Sequence, residues 1–392
     1  MDEATRHLIQ AIHDSPPRAV FAAAGAGSQA LADLLGVPGA SRTLLEALIP
    51  YSADSFDEFL GVQPEQYVSE TTGRRMAGRA LARARHLREL ESWPLIGLGC
   101  TATIVTDRPK KGEHRAHVAA WTAQRLTVHT LHLEKGARDR AGEEGVVSGL
   151  LLNTLALASG LSEQLSLPLG RGDSITSDVV DFQPAAEQLH RGAIPFFGIL
   201  PDGDLTTDPP AALLSGSYNP LHAGHAALAA TAEALLGRPV AFELSAVNVD
   251  KPPLPPDVVL DRLSQFAGRY PAYAGNAPTF VEKSRLYPGA AFVVGFDTAA
   301  RVIQPRYYGG SEAGMLAALA EMRDRGNVFL VAGRADDDGV FHELHELAIP
   351  TGFAALFQPI PARLFRHDIS STEIRAKLAV EAEEENSRRG AR

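Results

Sequence analysis

The run Leu213-Leu214-Ser215-Gly216-Ser217-Tyr218-Asn219-Pro220-Leu221-His222-Ala223-Gly224-His225 carries residue types and spacings suited to chemistry on a phosphate. An apolar strand leads into Gly216, and Asn219-Pro220 forces the chain out of helical geometry. Two histidines three residues apart then open an Ala-rich helix. That spacing puts His222 and His225 on one helix face, within reach of one triphosphate. The helix N-terminus adds unpaired N–H groups and the positive end of the dipole. Gly224 lets a backbone or ligand come close. A second cluster, Ile369-Ser370-Ser371-Thr372-Glu373-Ile374-Arg375, again stands at an expected helix start. Ser370, Ser371 and Thr372 suit phosphate oxygens, and Arg375 suits the charge that develops on them.

These residues need a scaffold of alternating strands and helices. In the second half the patterning predicts strands at Ala212–Ser215, Val240–Val247, Ala291–Gly295 and Val328–Ala332. Helices are expected at His225–Leu236, Ser311–Arg325 and Ser371–Ala379. In the first half strands are expected at Arg18–Ala24, Leu95–Val105, Val118–Trp121 and Leu126–Leu133. Helices are expected at Gln29–Leu35, at Val68–Leu90 opened by Ser69, and from about Gly142 to Leu165. Arg74, Arg75, Arg79, Arg83 and Arg85 read as a solvated face of the long helix. Such alternation implies an α/β protein of two α/β domains, the C-terminal one a Rossmann-like parallel sheet with helices on both faces. The expected limits are 1–166 for the first domain, 167–210 for a Gly/Pro/Asp-rich linker with short structure, 211–380 for the second domain, and 381–392 for a charged tail. The linker should include a hairpin through Phe196–Leu200 and Pro201-Asp202-Gly203.

The chain has 392 residues, 45% hydrophobic and 21% charged, with a formal charge of −10. At about 150 residues per domain this allows two or three domains. The acidic balance disfavours a general nucleic-acid binder but not a small phosphorylated ligand. A single cysteine, Cys100, excludes an intramolecular disulfide framework and a Cys-rich zinc module. The first residues lack a basic then apolar signal pattern, and the most apolar helix, near Val146–Ser162, carries Ser148, Asn153 and Thr154. The expectation is a cytoplasmic protein with no membrane partner; a homo-oligomer is compatible with it.

The stretch GSYNPLHAGH resembles the GxFxPxHxGH form of the HxGH nucleotidylyltransferase superfamily, specifically nicotinamide/nicotinate mononucleotide adenylyltransferases, with Tyr218 in place of the common Phe. Ile369–Arg375 resembles that family's ISxTxIR motif. Phe292-Val293-Val294-Gly295-Phe296-Asp297 resembles its strand-GxD element. The resemblance implies that His222, His225 and Arg375 are catalytic. Gly216, Ser217, Tyr218, Gly224, Ser370, Ser371 and Thr372 would bind the nucleotide phosphates, and Asp297 would hold a mononucleotide acceptor. Asn248 and Lys251, in the loop after the second strand, are acceptor-side candidates, and Arg334 is a weaker one. The implied reaction is in-line attack of an acceptor phosphate on the α-phosphorus of ATP, with Mg²⁺ carried by the triphosphate and no metal ligand from the protein. The expected partners are ATP and a pyridine mononucleotide. Two alternatives stand beside this: CTP with another small phosphorylated acceptor, and a nucleotide-binding regulatory protein with weak ATPase activity.

Residues 5–165 resemble, by motif order, the nicotinamide-nucleotide amidase family of the CinA C-terminal domain type. Gly36–Ser41, Pro50-Tyr51-Ser52, Leu60-Gly61-Val62, Val68-Ser69-Glu70 and Met76-Ala77 carry that likeness. The family uses a Ser nucleophile with a Lys and a Tyr. Here Ala24 stands at the Ser position and Phe56 at the Lys position, and only Tyr51 remains, so a degenerate amidase is expected. Ser28 and Cys100 are the candidate displaced nucleophiles. Gly25-Ala26-Gly27-Ser28-Gln29-Ala30 also fits a GxGxxA dinucleotide fingerprint, but the acid at the right distance, Glu46, reads as part of a helix-like run. The pairs His114/His117 and His342/His345 read as surface or helix-face histidines, and His129 and His132 as opposite faces of a strand. Arg171-Gly172-Asp173 reads as a turn.

Overall fold

A computed structural model describes residues 1–87, 93–107, 111–247, 252–336 and 339–366. Asn248, Lys251, Ser370, Ser371, Thr372, Arg375, the expected helix Ser371–Ala379 and the charged tail lie outside the described residues. The chain divides into two compact α/β units. The first comprises Met1–Pro184, Ile199–Leu205 and Leu263–Tyr270; the second holds the rest.

The first unit runs α1 (Glu3–Asp14), β1 (Arg18–Ala24), α2 (Ser28–Gly36), β2 (Leu44–Leu48), α3 (Ala53–Leu60), α4 (Glu70–Leu87), β3 (Leu95–Thr103), β4 (His114–Trp121), β5 (Arg125–Leu133), α5 (Arg140–Ala158) and β6 (Ser174–Asp181). Its sheet has the order β2-β1-β3-β4-β5-β6. β1 pairs in parallel with β2 and β3, and an antiparallel meander follows. Alternation divides β3 between two layers. Ile96, Leu98 and Cys100 join one core with α1, α2 and α5. Gly97 and Gly99 face α4: a Cβ on Gly97 would lie 2.0 Å from the Ala77 carbonyl oxygen and 2.2 Å from the Leu81 nitrogen. The helix can press this closely only because its own contact residues, Gly73, Ala77 and Leu81, are mostly small.

α4 therefore corrects the reading of its arginines as a solvated face. Arg74 is buried and bonds Glu70, Asp178 and Asp204 at 2.6–3.1 Å. Arg83 holds Glu46 at 2.7 and 3.0 Å, and Arg79 donates to the Phe59 carbonyl. Ser69 opens the helix as expected, accepting from the Thr72 amide. Glu46 is likewise corrected: it lies on strand β2, not in a helix, because parallel pairing with β1 outweighs the helix preference of Leu-Leu-Glu-Ala-Leu. His114 and His117 are buried in β4 rather than on a surface. The helix expected to reach Leu165 ends at Ala158.

The stretch 167–210 is also more than a linker, since β6 is the edge strand of the first sheet. Its sequence SITSDVVD has little apolar alternation, and its register comes from β5 through His129–Ser177 and Arg125–Asp181. Asp173 of the Arg-Gly-Asp turn is bound by Arg138 at 2.5 Å.

The second sheet is built from β7 (Phe196–Ile199), β8 (Leu205–Thr206), β9 (Ala212–Gly216), β10 (Ala241–Ser245), β11 (Ala272–Gly275), β12 (Ala291–Gly295), β13 (Val328–Ala332) and, past a two-stranded pair β14 (Arg334–Ala335) and β15 (Phe341–His342), β16 (Phe357–Ile360). The order is β16-β13-β12-β9-β10-β11-β7-β8. The pairs from β16 through β11 are parallel. The helices are α6 (Gln183–His190), α7 (Ala223–Leu236), α8 (Pro256–Leu263), α9 (Phe280–Leu286), α10 (Phe296–Val302) and α11 (Glu312–Asp324). β7 and β8 flank the Pro201–Gly203 turn, as expected. Central strands such as AFVVG and VFLVA are continuous apolar runs, as parallel strands covered on both faces require. Among the described residues no helix is long and apolar enough to cross a membrane.

Candidate functional site

In the second unit, β9 delivers its chain to a turn at the carboxyl edge of the sheet, and α7 starts immediately after it. His222 is the N-cap of α7, in extended geometry, and His225 occupies the third helical position. The two imidazoles stack with centroids 3.7 Å apart and planes 25° from parallel. His225 Nδ1 accepts from the His222 backbone N–H at 3.3 Å. With Nδ1 an acceptor, the proton of a neutral ring sits on Nε2, which becomes a donor. Burial, and then His222, push the His225 pKa down to about 3. At neutral pH this ring is an oriented, uncharged hydrogen-bond donor at a helix N-terminus.

Tyr218 sits beneath this pair rather than in the open. It is 1% exposed, its hydroxyl donates to the Leu214 carbonyl, and its ring meets His225 edge-on at 5.1 Å. Burial, with the Glu243 carboxylate second, raises its pKa well above the usual phenol value. It supports His225 and strand β9. Gly216 is held to glycine by that ring, because a Cβ there would lie 2.9 Å from Tyr218 Cζ. Ser217 is exposed, and its carbonyl accepts from the Arg262 guanidinium at 3.3 Å. Arg262 belongs to α8, and no sequence motif pointed to it. Gly224 is buried in the first turn of α7.

Immediately after the neighbouring strand β12, Asp297 lies in the first turn of α10. Arg334, just past β13, donates to it at 2.7 Å, with both side chains about half exposed. Asp297 and Arg334 are thus brought together, beside the β9 turn along one sheet edge. Next to β9 on its other side, Glu243 of β10 forms a buried ion pair with Lys283 of α9 at 2.5 and 2.6 Å. Lys283 also donates to Ser245 Oγ at 2.9 Å. This cluster has no signal in the sequence, since its partners are 40 residues apart and Glu243 stands inside the apolar run AFELS. Among the described residues no three His, Cys, Asp or Glu side chains are placed to hold a metal ion.

The first unit contains a pocket of about 200 Å³ whose lining includes Ala24, Gly25, Tyr51, Phe56, Tyr67 and Thr101. The geometry joins Ala24, Tyr51 and Phe56, which the sequence resemblance had assigned to one site. Phe56 is buried edge-on against Tyr67, at 5.3 Å, and Tyr51 is 77% exposed. Among the described residues no His, Lys, Asp or Glu lines the pocket. Of its hydroxyls, Tyr67 donates to the Asp57 carboxylate at 3.0 Å from outside the lining, and Thr101 donates to the Tyr67 carbonyl at 2.6 Å. Neither displaced-nucleophile candidate lines the pocket. Cys100 is fully buried, and burial, then Glu144, pushes its thiol pKa up strongly, which keeps it inert. Ser28 donates to Glu144.

The amides that a dinucleotide would need are also taken. Glu144 Oε1 accepts from Gly27 N at 2.9 Å and Gln29 N at 3.0 Å, so α2 receives a carboxylate from α5 where a pyrophosphate would sit. Glu46 is engaged by Arg83, whose hydrogen bond lowers its pKa. The histidine pairs are each accounted for. His114 bonds Glu143, His117 bonds Thr130, and His342 bridges Asp336 and Glu346, while His345 is exposed.

No protein-family profile and no curated protein matches the chain. Among solved structures it is similar to competence/damage inducible protein CihA from Agrobacterium tumefaciens, at 17% identity, 42% of this chain, 98% of that chain and a TM-score of 0.32. It is also similar to a competence or damage-inducible protein from Enterobacter asburiae, at 19% identity, 41% and 97% coverage and a TM-score of 0.31. A CinA superfamily protein from Enterobacter cloacae matches at 19% identity, 41% and 91% coverage and a TM-score of 0.31.

Proposed function

We propose that the second unit transfers AMP from ATP to nicotinamide or nicotinate mononucleotide and releases pyrophosphate. The observation that carries this reading is the stacked His222–His225 pair at the N-terminus of α7, with Nε2 of His225 fixed as a donor. A phosphate acceptor is already ionised, so the reaction needs positioning and charge stabilisation more than a strong base. The imidazoles and the amides of α7 supply donors to the phosphate oxygens as negative charge moves onto the leaving pyrophosphate. Mg²⁺ brought by the triphosphate would supply further charge stabilisation, and no residue of the chain is assigned to hold it. Asp297 and Arg334, beside the β9 turn, are assigned to the acceptor. Ser370, Ser371, Thr372 and Arg375 are assigned to the β- and γ-phosphates on their motif alone.

The first unit is assigned no amidase chemistry, because its pocket has neither a nucleophile at Ala24 nor a base at Phe56.

The test is pyrophosphate release with Mg²⁺, each of four nucleoside triphosphates, and a panel of phosphorylated acceptors. Release with ATP plus a pyridine mononucleotide is the expected result. His225→Ala should lower kcat/KM at least about 100-fold, the usual scale for losing one oriented transition-state donor, with unchanged circular dichroism. Preference for CTP and a phosphorylated alcohol would change the substrates. Acceptor-independent phosphate release, or full activity in His225→Ala, would overturn the assignment.

A further inference from the structure

The Glu243–Lys283–Ser245 cluster is expensive to bury and has no part in the reaction as assigned above. A buried ion pair is often no more stabilising than apolar residues of the same size. Its hydrogen bonds, however, have a direction. The three Lys283 ammonium protons go to Glu243 Oε1, Glu243 Oε2 and Ser245 Oγ. An ammonium cannot accept, so Ser245 Oγ is an acceptor in this contact and its own O–H proton points elsewhere. Among the described residues nothing accepts that proton. Ser245 is the last residue of β10 and is partly exposed. The preceding Leu244 pairs with Gly216, at the start of the histidine turn. The free proton therefore stands at the carboxyl edge of the sheet, one strand from α7, where open parallel sheets bind ligands.

We propose that Ser245 is a substrate-binding residue whose hydroxyl, oriented by Lys283, donates to a phosphate or hydroxyl oxygen of one of the two substrates. Lys283 is the positioning residue, and Glu243 fixes it through two hydrogen bonds. Because the pair is neutral overall, the contact selects an oxygen acceptor without adding net charge to the site. This inference rests on the transfer reaction proposed above.

The experiment uses the full chain with Ser245→Ala, measuring KM for ATP and for nicotinamide mononucleotide separately, with calorimetric binding of each and a thermal melt. The expected result is a rise of about tenfold in KM and Kd for one substrate, with the other nearly unchanged, kcat within about threefold and an unaltered melt. Which substrate responds identifies the oxygen. Unchanged KM and Kd for both in an active enzyme overturns the Ser245 assignment and leaves the reaction standing. A wild-type chain that neither turns over nor binds either substrate overturns both.

Discussion

Replacing His117 by asparagine should change how the first unit responds to acid. His117 Nδ1 bonds Thr130 Oγ1 at 2.9 Å, and Thr130 donates onward to Glu70 at 3.4 Å. The ring proton therefore sits on Nδ1, and Nε2 is buried without a partner among the described residues. Burial, and then the Arg115 guanidinium, push the pKa down to about 4. In the unfolded chain the same group titrates near about 6.5. Between those values the unfolded state binds one more proton than the native state, so stability falls as pH drops below about 6.5 and levels off below about 4. From pH 7.5 to pH 4.5 the loss from this one ring is about 2.5 kcal/mol. His117→Asn keeps a donor near the Nδ1 position and has nothing to protonate. Lost packing should cost it about 1–2 kcal/mol at pH 7.5, and the gap to wild type should close or reverse by pH 4.5. Both tryptophans, Trp93 and Trp121, lie in this unit, so urea unfolding followed by tryptophan fluorescence reads it selectively. His13, and Asp173 with its pKa near 2, also lose stability on acidification. The quantity to compare is thus the difference between wild type and variant at each pH. A difference constant to about 0.5 kcal/mol across that range would refute the buried neutral imidazole.

Gly97→Ala places a methyl 2.0 Å from the Ala77 carbonyl oxygen, and no side chain can yield there. It should cost more than about 3 kcal/mol in the same assay, and a loss under about 1 kcal/mol would mean that α4 does not press on β3. Lys283→Met strands Glu243 in the core of the second unit and should cost about 3–5 kcal/mol in a circular-dichroism melt or urea titration. Adding Glu243→Gln should recover part of that, and strictly additive losses would argue against a coupled pair.

The local structure around the contiguous histidine motif was legible in the sequence. The turn from Gly216 to His225 is a local motif, and it forms on the expected strand and helix. β12 and β13 match their expected limits to the residue, because fully buried parallel strands are unbroken apolar runs. What stayed hidden depends on partners far along the chain. The α4 arginines look like a wet face until Asp178 and Asp204, 104 and 130 residues from Arg74, close on it. Glu46 looks helical until β1 recruits its segment as a strand. Tyr218 has the position of a ligand contact in the motif, yet β9 and β10 draw its ring inward. Lys283 and Ser245 carry no motif and meet only because α9 lies across β10.

The carboxylate of Glu144 on the amides of α2 has a consequence for what this unit can become. It is an intramolecular ligand, present at an effective concentration of order millimolar or more, and bound to donors that would otherwise select phosphate. A free anion must outcompete it at every encounter. Any route by which the Gly25–Ser28 turn acquires nucleotide affinity therefore passes through residue 144, before any change in the turn itself can count.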